Sequence, residues 1–380
     1  MHMTALATTP TRLKPESDPP IAFHLDFLDG MRGIAALSVL LFHAHGLFHH
    51  SPLRYLLAWT NWGGYAVPAF IVISGFCLAL PLPRNNMCLR NGVGVFWKKR
   101  IRRILPPYYA ALILFTVLNG VTSSKDNISH LLLIHNLDPA TFFGGANASF
   151  WSIAVECQLY VLFPALVIAW RKFNGLLVLA ATILVSFTLN ALLYRTSLWG
   201  ICAHYVTLFS LGVFGCLVAF SDLKEYARLR TGLPWAGIAI VSVALLLLTH
   251  RLFGDALDDS PINIAATGPA RSFANLFVAC FVTSVLIICC QLRFRLVRSV
   301  LSWRPLVALG TISYSLYLLH QPMVNFYIRR ISAPRHWGDT RSTLVFFAIV
   351  LPTIVGLSYL FHLLVERPFM STPKNVKTAN

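Results

Sequence analysis

The stretch LDGMRGIAALSVLLFH, Leu28 to His43, decides the fold class of this 380-residue chain. It places Arg32 near the start of an apolar helix and His43 eleven residues further on. At 100° for each residue, eleven steps bring the two side chains to within about 20° of each other on one helix face. At ~1.5 Å of rise per residue they stand roughly 16 Å apart, which is about half the ~30 Å hydrocarbon thickness of a membrane. The stretch therefore predicts a basic group at a membrane surface and a titratable group near the middle of the bilayer.

The rest of the chain is apolar in the same way. Hydrophobic residues make up 56% of it and charged residues only 12%, against roughly 25% charged residues in soluble domains. Ten runs of 20 or more residues hold no charged residue, or only Glu156, and each is long enough for one spanning helix. We therefore predict an all-α polytopic membrane protein with about ten transmembrane helices.

The positions of the basic residues predict the orientation of these helices. With a cytoplasmic N-terminus, most of the 31 Lys and Arg residues fall in inside segments, and the largest group lies from Arg84 to Arg103. Cytoplasmic loops carry such an excess, so we expect both termini in the cytoplasm. The net charge of +17 then faces anionic lipid head groups, and we expect no nucleic-acid partner.

The composition divides the chain into three segments. Residues 1–25 are polar and proline-rich, which is typical of a disordered cytoplasmic tail; residues 26–368 form the membrane domain, and residues 369–380 form a second cytoplasmic tail. The long outside segment from Thr122 to Ser149 holds an apolar LLLI patch that could form a short interfacial helix. Seven of the eight cysteines lie in apolar helices without metal-ligand spacing, so we expect neither a disulfide framework nor a metal site.

Ionisable side chains within the predicted helices are the first functional candidates. Each costs about 2.5–3.5 kcal/mol near the bilayer centre, so such a group usually faces a cavity or a partner. Glu156, in FWSIAVECQLYVLFP, could orient a histidine, receive a polar substrate or join two helices. His320, in ISYSLYLLHQP, follows Tyr314 and Tyr317 at intervals of three on one broad helix face. An interfacial aromatic belt is the structural alternative for that face.

The stretch FWKKRIRRILPPYY is the most basic part of the chain. Arg100 and Arg103, and likewise Lys99 and Arg103, fall at helical spacings just before the third predicted span. A stop signal for topology explains some of this charge, but seven basic residues from Arg84 to Arg103 exceed that need. Paired guanidinium groups suit bidentate contact with phosphate, so we predict a phosphate-bearing cosubstrate. No glycine-rich phosphate loop accompanies them, which argues against an NTPase.

Five of these stretches, in order, resemble the signatures of the acyltransferase 3 family of integral membrane acyltransferases. They are LDGMRGIAALSVLLFH, IVISGF, FWKKRIRRILPPYY, FWSIAVECQLYVLFP and ISYSLYLLHQP, and the resemblance runs from about Leu25 to Pro368. It implies that residues 26–368 form an acyltransferase domain. It also implies transfer of an acyl group, usually acetyl, to a hydroxyl on a carbohydrate or another envelope or secreted molecule.

The resemblance also implies roles for single residues. Arg32 and His43 correspond to the pair regarded as essential in the family, and Arg100 and Arg103 to the arginines implicated in acyl-CoA binding. One departure is visible, because GYAVPAFIVISGF has Pro68-Ala69 where family members commonly carry an acidic or bulky residue. The predicted substrate-binding residues are Arg100, Arg103, Ser74, Gly75, Tyr314, Tyr317 and His320.

The expected reaction follows from these assignments. His43, with an ordinary imidazole pKa near 6.5, is mostly neutral at pH 7 and can take the proton of an acceptor hydroxyl as it attacks a thioester carbonyl. Arg32 and Glu156 complete the predicted catalytic set, and an acyl-histidine intermediate stays open. Acyl-CoA, by default acetyl-CoA, is the cosubstrate, with no bound cofactor.

The expected setting is the bacterial inner (plasma) membrane. The predicted partners are lipid, acyl-CoA and a carbohydrate or other hydroxyl-bearing acceptor, and the oligomeric state is not indicated by the sequence. A polytopic transporter or flippase of a polar envelope precursor is the alternative, since polar groups at mid-membrane suit it equally well.

Overall fold

The structure, a computed structural model, describes residues 25–48, 51–120, 123–254, 268–291 and 294–370. Among these residues all regular structure is helical, because a helix satisfies its own backbone hydrogen bonds within an apolar surrounding. The predicted tails are residues 1–25 and 369–380, and all of them except residues 25, 369 and 370 lie outside the described residues. The α-helices are α1 Asp26–Ala44, α2 Arg54–Leu57, α3 Ala66–Ala79, α4 Gly92–Asn119, α5 Ser124–Leu131, α6 Pro139–Phe142, α7 Trp151–Lys172, α8 Gly175–Leu193, α9 Tyr205–Phe220, α10 Lys224–Gly232, α11 Trp235–Phe253, α12 Gly268–Cys290, α13 Arg295–Leu301, α14 Arg304–Thr311, α15 Ser313–Phe326, α16 Asp339–Val345 and α17 Leu351–Phe361.

Within the described part of the chain, nine helical segments are long and apolar enough to cross a membrane, which confirms the all-α polytopic fold. The tenth predicted run is divided into α14 and α15, of 8 and 14 residues, at Ile312, whose φ of −98° and ψ of 7° leave the helix. The nine segments are Asp26–Leu47, Arg54–Ala79, Gly92–Asn119, Ala148–Lys172, Gly175–Leu193, Trp199–Phe220, Trp235–Phe253, Gly268–Cys290 and Asp339–Phe369. Which side of the membrane each loop faces remains a prediction from the basic residues.

Close helix contacts explain why α14 is short. A Cβ on Gly33 of α1 would lie 2.2 Å from the Leu306 carbonyl oxygen, and one on Gly310 would lie 1.8 Å from the Asp29 carbonyl oxygen. The backbones of α1 and α14 therefore meet directly, as small residues allow at membrane helix interfaces. The break at Ile312 lets α14 follow α1 while α15 turns into the bundle.

Helix α9 lies at the centre of the bundle, with nearly all of its residues buried, whereas α8 and α11 expose most of theirs. It meets α3 through two glycines. A Cβ on Gly212 would lie 2.0 Å from the Val72 carbonyl oxygen, and one on Gly75 would lie 2.2 Å from the Phe209 carbonyl oxygen. This contact fixes the position of α3, which carries one wall of the cavity described below.

The segment between α4 and α7 folds back over one end of the bundle. Its short helix α5 ends at Leu131, so the apolar LLLI patch lies mostly in the turn that follows the helix. Leu131 and Leu132 are 51% and 61% exposed, while Asp126 and His130 point inward and are buried. The Asn147 side-chain amide donates a 2.8 Å hydrogen bond to the Leu318 carbonyl and so ties the end of this segment to α15. We call residues 123–150 the outer segment, after its predicted location.

Candidate functional site

A cavity of about 240 Å³ lies between α1, α3, α4, α7 and α15. It gathers side chains from five helices that are far apart in the sequence. His43, Gly75 and His320 are predicted site residues that do not line it. The seven predicted site residues that do are Arg32, Ser74, Arg100, Arg103, Glu156, Tyr314 and Tyr317.

The cavity is elongated along the helix axes. Ser152, Glu156 and Tyr160 line it from successive turns of α7, at intervals of four residues. At ~1.5 Å per residue these side chains cover about 12 Å of the helix. Arg100 and Arg103 lie in the first half of α4, and Ser152 lies near the beginning of α7. The cavity can therefore hold an extended chain.

The Glu156 carboxylate is held by two hydroxyl groups. Ser74 Oγ, from α3, donates a 2.9 Å hydrogen bond to Glu156 Oε1, and the Tyr160 hydroxyl donates to the same oxygen. The oxygens of Ser74 and Tyr160 also lie 2.6 Å apart, so the two hydroxyls and the carboxylate oxygen form one close cluster. The carboxylate joins two helices and faces the cavity, where it can accept a hydrogen bond from a polar group.

Three guanidinium groups line the same cavity. Arg32 lies 3.9 Å from the Asp29 carboxylate, one turn earlier on α1. In the described part of the chain, Arg100 and Arg103 have no carboxylate oxygen within 4.0 Å. Arg100 Nε is buried, and it has no hydrogen-bond partner among the residues that the structure describes. Because a buried donor is costly to leave unpaired, this end of the cavity is suited to an anion such as phosphate.

The Glu366 carboxylate, another group near the start of α4 in space, is bound elsewhere. Ser315 Oγ donates a 2.6 Å hydrogen bond to Glu366 Oε2, and His362 Nδ1 lies 2.8 Å from the same oxygen. Ser315 follows Tyr314 on α15, and neither Ser315 nor Glu366 lines the cavity.

His43 lies close to a second histidine. It is half-buried near the end of α1, and its ring centroid is 5.2 Å from that of His320 on α15. His320 is buried, and its Nδ1 donates a 2.7 Å hydrogen bond to the Tyr317 carbonyl. His320 Nε2 is then left without a hydrogen-bond partner. His43 Nδ1 itself lies 3.5 Å from Gln321 Nε2.

Tyr317 lies between the cavity and the two histidines. Its ring lines the cavity and has its centroid 5.3 Å from that of His320. Its hydroxyl is hydrogen-bonded to Ser152 Oγ at 2.5 Å and donates to the Ser149 carbonyl at 3.0 Å.

Sequence reasoning did not find four residues of this region. Tyr160 lies four residues after Glu156 in the same motif, so helical spacing could have found it. Ser152 lies four residues before Glu156 and could have been found in the same way. Ser149 and Gln321 gave no such signal, because their contact joins the outer segment to α15.

The outer segment contains a separate pair of histidines. The rings of His130 and His135 stack at 3.9 Å with an angle of 7° between their planes, and both side chains are buried. Burial lowers the pKa of His130, and burial together with the neighbouring His130 lowers the pKa of His135 to about 3. His130 Nδ1 donates to the Asp126 carbonyl at 2.9 Å. The folded segment therefore favours neutral imidazoles at this pair.

Several bacterial proteins are similar to this chain in sequence. YrhL of Bacillus subtilis (strain 168) is 28% identical over 372 residues, covering 90% of this chain and 54% of that protein. The peptidoglycan O-acetyltransferase OatA of Listeria monocytogenes is 25% identical, covering 82% of this chain and 51% of that protein. The O-acetyltransferase OatA of Staphylococcus aureus (strain NCTC 8325 / PS 47) is 24% identical, covering 80% and 51%.

The chain thus spans about half the length of these bacterial relatives. No solved structure matches it. The family described as an acyltransferase domain matches residues 25–363, nearly all of the membrane-spanning part and every residue that lines the cavity. This multi-pass membrane protein therefore belongs to the acyltransferase 3 family.

Proposed function

We propose that this protein is an O-acetyltransferase of the bacterial inner membrane. It moves an acetyl group from acetyl-CoA to a sugar hydroxyl of the cell envelope, with peptidoglycan as the first acceptor to test. The observation that carries the proposal is a cavity within the family's domain that combines three guanidinium groups with an oriented carboxylate. The relatives named as O-acetyltransferases support the acceptor, although this chain corresponds to only about half of each.

We assign the acyl donor, acetyl-CoA, to the arginine-lined end of the cavity. Arg32, Arg100 and Arg103 bind the phosphate groups of acetyl-CoA, and Arg100 Nε is the donor that the protein itself leaves unpaired. The pantetheine arm then extends along α7, past Glu156, toward Tyr317. In this proposal the phosphates lie at the arginines, at the predicted cytoplasmic end, and the thioester lies at the other end of the cavity, toward His43.

The chemistry is assigned to His43. Its imidazole takes the proton of the acceptor hydroxyl while the hydroxyl oxygen attacks the thioester carbonyl carbon. The carbon–sulfur bond breaks, the acetyl ester forms, and the proton passes from His43 to the departing thiolate, so the base is restored. Glu156 receives a polar group of a substrate, held in place by Ser74 and Tyr160. An acetyl-His43 intermediate is the second route, and enzyme that is denatured at neutral pH during turnover and carries label on His43 would identify it.

Family membership favours acetyl transfer over the hypothesis that the protein is a transporter or flippase. A transporter binds its cargo without forming or breaking a covalent bond. The direct test is chemical transfer of label.

The experiment uses the full chain in lipid nanodiscs with radiolabelled acetyl-CoA and peptidoglycan glycan strands. We expect alkali-labile label in the glycan, and a loss of about 100-fold or more in His43→Ala, because general bases contribute 10²–10⁴-fold. His45→Ala is the matched control; His45 hydrogen-bonds Thr60 Oγ1 at 2.7 Å instead of facing His320. Equal activity in the two variants would remove His43 from the reaction, and no labelled glycan with the wild type would contradict the proposed function.

A further inference from the structure

Gln321 connects His43 to the outer segment. Its Nε2 lies 3.5 Å from His43 Nδ1, and its Oε1 lies 2.5 Å from Ser149 Oγ. Ser149 is itself well fixed, since its N–H donates to Asn147 Oδ1 at 2.9 Å and its carbonyl accepts from the Tyr317 hydroxyl at 3.0 Å. A chain of hydrogen-bonding groups thus runs from the outer segment through one amide to His43.

The amide of Gln321 can face His43 in either of two orientations. A serine hydroxyl both donates and accepts, so Ser149 can bond to either Oε1 or Nε2 of Gln321. Which of these two atoms faces His43 therefore has to be assigned from the hydrogen bonds that each orientation makes. Only one orientation suits a base. With Oε1 toward His43, the amide accepts the Nδ1–H and leaves the Nε2 lone pair free for a proton. The opposite orientation places a donor on Nδ1, which moves the ring proton to Nε2 and removes that free lone pair.

We propose that Gln321 is the positioning residue of His43: its amide oxygen accepts the Nδ1–H, and Ser149 holds the amide in place. This inference rests on the proposed function, in which His43 Nε2 is the general base. The arrangement parallels the way a catalytic histidine is commonly oriented by an acceptor at its other nitrogen.

The other neighbours of His43 do not fill this role. His320 uses Nδ1 for the Tyr317 carbonyl, and its Nε2 has no hydrogen-bond partner, so it does not bond to His43. Among residues that the structure describes, no carboxylate oxygen lies within 4.0 Å of a His43 nitrogen. A neutral amide is therefore the group that orients this imidazole, and it stabilises the imidazolium less than a carboxylate would.

This difference gives the experiment its readout. Gln321→Leu removes the acceptor, and Gln321→Glu keeps an acceptor of nearly the same shape while adding a negative charge. Gln158→Leu and Gln158→Glu are the matched controls, because Gln158 bonds Asn136 of the outer segment at 2.8 Å but does not contact His43. Two quantities are measured between pH 4.5 and 9: kcat for acetyl transfer, and the rate at which diethyl pyrocarbonate labels His43, followed by mass spectrometry.

We expect Gln321→Leu to lower kcat by about 10- to 100-fold, a part of the contribution of a general base. Gln321→Glu should retain more activity and move both the acid limb of kcat and the midpoint of His43 labelling up by about one pH unit or more, because a carboxylate stabilises the imidazolium. The Gln158 variants should leave both midpoints unchanged.

An unchanged labelling midpoint in Gln321→Glu, or an unchanged kcat in Gln321→Leu, would overturn the proposal. Labelling of His43 requires no acetyl transfer. A wild-type protein without transfer activity would therefore count against the proposed function, while the labelling midpoints would still decide the role of Gln321.

Discussion

The hydroxyl of Ser74 on α3 donates a 2.9 Å hydrogen bond to the Glu156 carboxylate on α7. The bond joins two helices whose residues are 82 positions apart and holds the carboxylate toward the cavity. Glu156 can therefore have a structural role and a functional role, and we expect mutations to affect these two roles differently.

Glu156→Gln keeps the size of the side chain and removes its charge. We expect kcat/KM to fall by about 10- to 100-fold, since a hydrogen bond to a charged group contributes about 1.5–3 kcal/mol. Ser74→Ala should lower kcat/KM by a smaller factor, because Tyr160 still donates to the carboxylate. Ser210→Ala on α9 is the matched serine control, as the Ser210 hydroxyl is buried without a partner. A fall in thermal stability that tracks the fall in activity would assign Glu156 to structure alone.

Arg100→Ala and Arg103→Ala should weaken the binding of acetyl-CoA. Each lost charge-assisted phosphate contact is worth about 1.5–3 kcal/mol, so Kd should rise by about 10- to 100-fold per contact. The measurement is titration with a non-hydrolysable acetyl-CoA analogue, with acceptor affinity measured in parallel. Arg102→Ala is the control, because Arg102 is exposed on the same helix and does not line the cavity. Unchanged affinity in the double variant would leave this cluster a role in topology only.

The stacked pair in the outer segment predicts a pH dependence. An opened segment has histidines of ordinary pKa, near 6.5, while burial lowers the pKa of His135 to about 3 in the folded segment. The opened state binds more protons between these values, so the stability of the segment is full above about pH 6.5 and falls as the pH drops. The slope is up to about 1.4 kcal/mol per pH unit for each histidine.

Hydrogen exchange of residues 124–150, corrected for intrinsic rates, measures this opening free energy at pH 7.5 and pH 5. His135→Phe keeps a stacked ring that cannot take a proton. The variant should open less at pH 5 than the wild type. The same pH slope in both proteins would show that His135 is not responsible.

Much of the bundle could be predicted from the sequence because few backbone structures can span a lipid bilayer. Apolar runs of about 20 residues have to be helices, and the few ionisable groups within them have to face inward, which is why Arg32 and Glu156 meet in one cavity. The roles assigned to these side chains stay predictions. Periodicity could not show that Gly75 faces the Phe209 backbone of α9 and not the cavity, because a glycine in a motif has no side chain to point.

The break at Ile312 and the contacts of Gln321 could not be predicted either. Both depend on tertiary contacts between distant segments: α1 against α14, and Ser149 against α15. A hydropathy pattern records how apolar a segment is, but it does not record which backbone lies against which.

The last prediction concerns sidedness, on which the route of the donor depends. The basic residues place the Arg84–Arg103 segment in the cytoplasm and the outer segment on the opposite side. Single cysteines at Asn91 and at Leu132, both exposed, are introduced into a chain with Cys88→Ser. An impermeant thiol reagent added to intact cells should label position 132 and not position 91, and permeabilised cells should label both. The chain with Cys88→Ser alone measures the background from the remaining cysteines. The reverse pattern would place Arg100 and Arg103 outside the cell, where cytoplasmic acetyl-CoA could not reach them, and would remove the proposed donor route.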